Sequence, residues 1–196
     1  ATICDNCAAG TIAATEGLAA CTNCVAGTIA ATEGSGVCTN CAAGTIAATG
    51  GLAVCTNCAA GKAAGAVAST ACTDCDLGTY APNDGSSECT NAETGNYVDV
   101  VGATGTSECP KGEYQDEEGA TTCKSCRDFT EDGVNRPYYY NEDTGKADCL
   151  PCKCNNPARS AAVEECDVVT GDCTCGPLWL DAKNALQKGD TACNEE

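Results

Sequence analysis

Cysteine recurs on a fixed period along the first half of the chain. Cys4, Cys21, Cys38, Cys55, Cys72 and Cys89 are evenly spaced at seventeen positions, and Cys7, Cys24, Cys41, Cys58 and Cys75 each follow the first five at the third place. Such a period marks an array of one small unit rather than a single globular fold. The unit reads C-T-N-C-A-A-G-T-I-A-A-T-E-G-L-A-A, almost unchanged in the first copies. A glycine stands at the third place after each second cysteine (Gly10, Gly27, Gly44, Gly61, Gly78, Gly95), and another usually at the fourth place before the next cysteine (Gly17, Gly34, Gly51, Gly85, Gly102). Two fixed glycines per unit predict two turns with positive φ. Stretches between them, such as Gly44-Thr45-Ile46-Ala47-Ala48-Thr49, are too short for helices and read as brief strands. Each unit is therefore expected to be a small β-hairpin or a pair of turns.

The rest of the composition fits only a covalently stapled chain. Of 196 residues, 21 are Cys and 33 are Ala, while Leu, Ile, Val and Phe together number 23. That aliphatic content is below the roughly 20 % at which a charged chain is expected to stay unfolded without other support. Disulfides supply that support, and they place the chain in an oxidising setting, secreted or at the cell surface. No apolar run approaches the length of a membrane span. The net charge of −18 argues against nucleic acid as a partner. It is unevenly placed: residues 1–71 carry a net −2 and residues 72–196 the other −16. The N-terminus lacks a basic segment followed by an apolar one and the chain has no Met, so the expectation is a mature product or a piece of a longer protein.

The period continues into the acidic half, and its gaps bear on disulfide pairing. The second-cysteine phase falls on Ala92, Cys109 and Cys126, and the first-cysteine phase on Thr106 and Cys123. Ala92 and Thr106 are the two absent cysteines, and the interval between them equals that from Cys7 to Cys21. If each second cysteine bonds to the first cysteine of the next unit, one whole bond is missing and no thiol is stranded. Pairing within C-x-x-C would strand Cys89. The expected bonds are Cys7–Cys21, Cys24–Cys38, Cys41–Cys55, Cys58–Cys72, Cys75–Cys89 and Cys109–Cys123. Cys4 is left over, its partner position lying before residue 1, and is expected to bond to an upstream repeat or to another chain. The fifth residue after each second cysteine is Ile12, Ile29 and Ile46, then Tyr80, Tyr97 and Tyr114. It is expected either to cover a disulfide of its own or the next unit, or to stand exposed on a strand.

After Cys126 the spacing stretches. Tyr140 and Gly145 stand to Cys149 as Tyr114 and Gly119 stand to Cys123. This reads as one more unit with an insertion at 127–139, closed by Cys126–Cys149. The insertion brings Phe129, Tyr138 and Tyr139 to cluster with Tyr140 beside it. With Trp179 these form a candidate contact patch; the other reading is a small core at the junction of two modules.

From Cys152 the pattern changes to Cys152-Lys153-Cys154-Asn155, then Cys166-Asp167-Val168-Val169-Thr170-Gly171-Asp172-Cys173-Thr174-Cys175, then Cys193. This resembles a laminin-type EGF-like module. The resemblance implies the bonds Cys152–Cys166, Cys154–Cys173 and Cys175–Cys193. The last loop, between Cys175 and Cys193, is long for that family, and the family's fourth bond is absent or lies beyond the last residue. Leu178-Trp179-Leu180 and Ala185-Leu186 in this loop are expected to form a helical turn or a small apolar cap. Upstream, Cys109-Pro110-Lys111-Gly112-Glu113-Tyr114 with Gly119 and Cys123-Lys124-Ser125-Cys126 resembles the cysteine-rich repeats of ephrin-receptor-like and tumour-necrosis-factor-receptor-like ectodomains. The resemblance covers residues 72–152; residues 1–71 share its cysteines and glycines but not its aromatic residue.

Other chemistry finds little support. Paired C-x-x-C motifs suit zinc or redox exchange, but the chain has no His, the context is oxidising, and the paired loss suits a bond better than a four-ligand site. Asp116-Glu117-Glu118 and Glu142-Asp143 lack the spacing of a calcium loop and read as solvated turn charges. Without His there is no Ser–His or Cys–His nucleophile system. A thin array offers no cleft for paired carboxylates. No catalytic residue, metal site or cofactor is expected, and the chain is not expected to be an enzyme. There is no N-x-[ST] sequon; the many Thr residues are candidate acceptors of O-linked sugars.

The expected fold is small and disulfide-rich, mainly short β-hairpins and turns with little helix, as an elongated tandem-repeat rod. Its segments are Ala/Thr-rich repeats over 1–71, acidic Tyr-containing repeats over 72–151 with the insertion at 127–139, and a laminin-EGF-like module over 152–196. The expected function is extracellular and structural: a segment of a surface filament that self-associates or continues into neighbouring repeats. Near-verbatim units favour this, since a ligand surface tends to need different residues in each unit. The alternative is the ectodomain of a cell-surface receptor or adhesion protein.

Overall fold

A computed structural model describes residues 6–13, 20–128, 130–131, 134–135, 139–151, 163–171, 173–175, 179–180 and 186–187. Its regular structure is almost all two-residue strands in antiparallel pairs. The repeats give β1 (Thr11–Ile12) with β2 (Thr22–Asn23), β3 (Thr28–Ile29) with β4 (Thr39–Asn40), β5 (Thr45–Ile46) with β6 (Thr56–Asn57), and β7 (Lys62–Ala63) with β8 (Thr73–Asp74). They continue as β9 (Thr79–Tyr80) with β10 (Thr90–Asn91), β11 (Asn96–Tyr97) with β12 (Ser107–Glu108), and β13 (Glu113–Tyr114) with β14 (Lys124–Ser125). The register is the same in every hairpin: the fourth residue after the second cysteine faces the second residue after the next first cysteine, as in Thr28↔Asn40 and Lys62↔Asp74.

The glycines explain why the unit closes where it does. Gly44 has φ +84°, and a Cβ there would lie 2.1 Å from the carbonyl oxygen of Gly85. No side chain is tolerated at that approach, and the left-handed backbone is one that glycine adopts without cost. Ala68, at the place other units give to the second glycine, keeps the same conformation with φ +58° and is the one non-glycine with positive φ among the described residues.

By contacts the chain forms two compact units, one of residues 1–91 with 100–105 and one of 92–99 with 106–196. In the first, consecutive repeats are joined by a recurring set of three backbone hydrogen bonds. Around Cys24 these are Gly27 N–H to Ala47 O (2.8 Å), Ala30 N–H to Leu52 O (3.3 Å) and Gly51 N–H to Cys24 O (2.8 Å). The pattern returns at Cys41 and again at Cys58, one and two repeats on, with Ala68 serving as the donor to Cys41. In the second, Gly95 to Gln115 O, Val98 to Ala120 O and Gly119 to Ala92 O form the same set, and so do Gly112 to Asn141 O, Gln115 to Lys146 O and Gly145 to Cys109 O. At about 1 kcal/mol net each, three such bonds per step contribute about as much as one staple.

The buried layer is thin and made of small groups. Cys24, Cys41, Cys58, Cys75, Cys109 and Cys126 are buried, and so, from the second repeat on, is the sixth position after the second-cysteine place: Ala30, Ala47, Ala64, Ala81 and Val98. That position becomes Gln115 and then Asn141, both 3 % exposed. Gln115 Nε2 donates to Thr122 O at 2.7 Å and its Oε1 accepts from Glu117 N–H at 3.0 Å; Asn141 Nδ2 donates to Glu113 O and Asp148 O, each at 3.3 Å. The preceding residue, expected as a candidate cover for the disulfides, is only half-buried at Ile12, Ile29, Ile46, Tyr80 and Tyr97, and buried at Tyr114.

Beyond Cys126 lie a 3₁₀ turn, Cys126–Asp128, and four further hairpins: β15 (Thr130–Glu131) with β16 (Val134–Asn135), β17 (Tyr139–Tyr140) with β18 (Leu150–Pro151), β19 (Val163–Cys166) with β20 (Cys173–Cys175), and β21 (Trp179–Leu180) with β22 (Leu186–Gln187). The last pair corrects the expectation of a helical turn. Trp179 pairs with Gln187 and Leu180 with Leu186 in an antiparallel backbone register, so these residues are extended rather than helical.

Candidate functional site: the disulfide spine and its aromatic end

Each described disulfide runs from the second cysteine of one unit to the first of the next. The bonds are Cys7–Cys21, Cys24–Cys38, Cys41–Cys55, Cys58–Cys72, Cys75–Cys89 and Cys109–Cys123, all with a sequence separation of 14, and Cys126–Cys149 with a separation of 23. Their Cα–Cα distances run only from 5.6 Å to 5.8 Å along the series. A loop of this size contributes about 3 kcal/mol by limiting the unfolded chain. Cys4, Cys152, Cys154 and Cys193 lie outside the described residues, and Cys166, Cys173 and Cys175 are described as backbone only.

The missing staple leaves the backbone unchanged. Ala92 is fully buried, in the place of a second cysteine, and Thr106 is exposed, with its hydroxyl 3.5 Å from Asn96 Oδ1. β11 and β12 pair in the common register, Asn96 with Glu108 and Tyr97 with Ser107.

At the aromatic end the second unit makes its one compact apolar cluster among the described residues. Tyr114, Tyr139, Cys126 and Cys149 are buried together, with Val168 packed against them. Tyr114 thus covers the disulfide of the following repeat. Val168 belongs to the turn between β19 and β20. Its carbonyl accepts from Asn141 N–H at 2.7 Å, and it occupies the space beside Gly112 where a Cβ would meet Val168 Cγ2 at 3.0 Å. Gly171 lies against the Tyr140 ring so closely that a Cβ would come within 2.6 Å of it. The turn from Asp167 to Gly171 therefore accepts at Asn141 the bond that a following repeat accepts at Gln115 or Val98. Of the candidate contact patch, Tyr139 and Tyr140 are 6 % and 3 % exposed, interior rather than surface residues, because this turn covers them. Phe129 and Tyr138 lie outside the described residues, and Trp179 is described as backbone only.

Charges near this end are locally paired. Lys124 Nζ sits 2.6 Å from Asp116 Oδ1 and 3.4 Å from Glu117 Oε1. The Lys124 hydrogen bond holds Asp116 below the usual carboxylate range, and the same bond raises Lys124. Both groups are exposed, so the pair adds little stability. Burial, and then the Asp116 charge, push the Tyr114 phenol up. Asp167 is held low by the backbone N–H groups of Thr170 and Val169. Among the described residues no group of three or more His, Cys, Asp or Glu is placed to hold a metal ion, and no helix is long and apolar enough to cross a membrane.

The sixth position after the second cysteine is the structural residue that pattern reading passes over. Its signal was present as an Ala at a fixed place in the early units, but a small side chain gives no hydropathy peak.

Two overlapping stretches, residues 61–109 and 95–133, match the family described as tyrosine-protein kinase ephrin type A/B receptor-like. The second match begins two repeats after the first. No curated relative matches the chain. The matched residues hold four of the hairpins, the bonds Cys75–Cys89 and Cys109–Cys123, and the repeat that lacks one. The chain is an extracellular, disulfide-stabilised repeat-domain protein, small-unit and mostly β, whose cysteine-rich repeats resemble those of the ephrin-receptor-like family.

Proposed function

We propose that the chain is part of the ectodomain of a cell-surface receptor or adhesion protein, a spacer of stapled repeats that carries a further module at its C-terminal side. The observation that carries this reading is the match of residues 61–109 and 95–133 to a receptor-like family. The docking of Val168 on the last repeat supports it, because a module held by a backbone bond and an apolar plug keeps a set orientation to the repeat beneath it. The finer features proposed with it are a laminin-EGF-like module from Cys152 and O-linked sugars on exposed threonines.

A second reading, a segment of a surface filament, is favoured by the near-identity of the units up to residue 58. The two are separated by the oxidised protein in solution. Sedimentation and electron microscopy at high concentration are expected to show monodisperse monomers, and antibody to the chain is expected to label unpermeabilised cells. Fibres formed by the purified protein would overturn the ectodomain reading in favour of the filament.

A further inference from the structure

The disulfides set how far each part of the array can be drawn out. From Cys7 the bond to Cys21 leads to Cys24 after three peptide steps, and the same path recurs through Cys41, Cys58 and Cys75. With every hydrogen bond broken, such a path reaches about 16 Å, three steps at about 3.5 Å plus one staple. Between Cys89 and Cys109 no bond shortens the path. Those twenty peptide steps extend to about 70 Å.

Parts of the same stretch are open to attack. Asp99, Val100 and Val101 are exposed, and so is the run from Thr104 to Glu108. Residues 92–99 and 106–108 belong to the second compact unit and residues 100–105 to the first, so the chain passes from one unit to the other three times within this stretch. No disulfide holds it: it is kept in place by β11 pairing with β12, by the set Gly95–Gln115, Val98–Ala120 and Gly119–Ala92, by Gly102 to Cys75 O and Ala81 to Ala103 O, and by the burial of the small side chains of Ala92, Val98 and Ala103. Apart from the two-residue links inside C-x-x-C, which are too short to enter a protease cleft, it is the one peptide between Cys7 and Cys149 outside a disulfide loop.

We propose that residues 90–108 are a releasable joint: the stretch that yields length under tension, and at which one cut by an extracellular endoprotease divides the molecule into two disulfide-closed pieces. A cut in any stapled loop leaves both sides tied by the staple. The proposal rests on the disulfide path and holds for an ectodomain and a filament alike.

A glutamyl endoprotease tests it on the oxidised chain. Every Glu between Cys7 and Cys149 lies inside a stapled loop except Glu93 and Glu108. Digestion in denaturant without reductant is expected to free the piece ending at Glu93 from the piece holding residues 109–149. One undivided band that separates only on reduction would overturn the proposal. In an E108Q background, A92C/T106C encloses Glu93 and is expected to keep the pieces together. Pulling the intact oxidised protein is expected to release one extension of roughly 50–70 Å. That extension should vanish in A92C/T106C once thiol titration shows the new bond closed; its absence in the unmodified chain, or its persistence in the variant, would overturn the proposal.

Discussion

The amide of Gly119 donates to the carbonyl of Ala92 at 2.8 Å, the bond that Gly34 makes to Cys7 and Gly51 makes to Cys24. A repeat without its disulfide thus keeps its place in the backbone ladder. The staple and the ladder are separable contributions. Removing a whole staple elsewhere, as in C58A/C72A, is expected to cost about 3 kcal/mol in denaturant unfolding. The Gly85 amide, bonded to the carbonyl of residue 58, should stay protected from exchange. Cys58→Ala alone leaves Cys72 as a free thiol among neighbouring disulfides and should give mixed disulfide isomers, read by non-reducing peptide mapping.

Gly44→Ala tests the backbone approach. The new Cβ would meet the Gly85 carbonyl oxygen at 2.1 Å in a left-handed conformation, a contact that only a shift of backbone relieves. A loss of more than about 2 kcal/mol is expected from strain and clash together. Gly105→Ala is the control: nothing lies within 4 Å of its Cβ, and its stability should change by less than about 0.5 kcal/mol.

Cysteine and glycine spacing made the hairpin array legible, because a disulfide and a positive φ both demand a residue type at a fixed place. The core position was not legible in the same way. Ile46 and Tyr80 stand out as large side chains, yet they are half-buried, while Ala47 and Ala81 beside them are fully buried. The early units fill this place with a methyl group and the later ones with Val98, Gln115 and Asn141, so no one hydropathy signal marks it along the chain. The aromatic end could be read as a patch or as a core. What decides between them at Tyr139 and Tyr140 is a distant turn, around Val168, and no local pattern announces that contact.

Ala68 departs from the glycine pattern and offers a stabilising change. Its φ of +58° costs a side chain about 1–2 kcal/mol. Glycine removes that strain but returns about 0.4–1 kcal/mol through its freer unfolded chain. Ala68→Gly should therefore stabilise the first unit by up to about 1 kcal/mol, measured by chemical unfolding of the oxidised protein. Its amide should remain bonded to the Cys41 carbonyl, as seen in exchange.

The turn that covers the aromatic end carries a pH dependence. Asp167 Oδ1 accepts from Val169 N–H at 2.8 Å and from Thr170 N–H at 2.9 Å, and these bonds hold the folded carboxyl below its ordinary value of 3.8. Bonds of this kind favour the charged form. Their contribution is complete above the ordinary carboxylate pKa and is lost as pH falls through the lower, folded value. The same turn presents the Val168 carbonyl to Asn141 and sets Gly171 against Tyr140. Acidification is therefore expected to shift the Val169 and Thr170 amide resonances together with the Asp167 carboxyl, and to move the Tyr140 ring signals in the same range. Asp167→Asn keeps an acceptor but removes the titration, so its turn should be weaker at neutral pH and show no such acid step. An Asp167 carboxyl that titrates at its ordinary value would count against the argument, as would an acid step at Tyr140 that survives in Asp167→Asn.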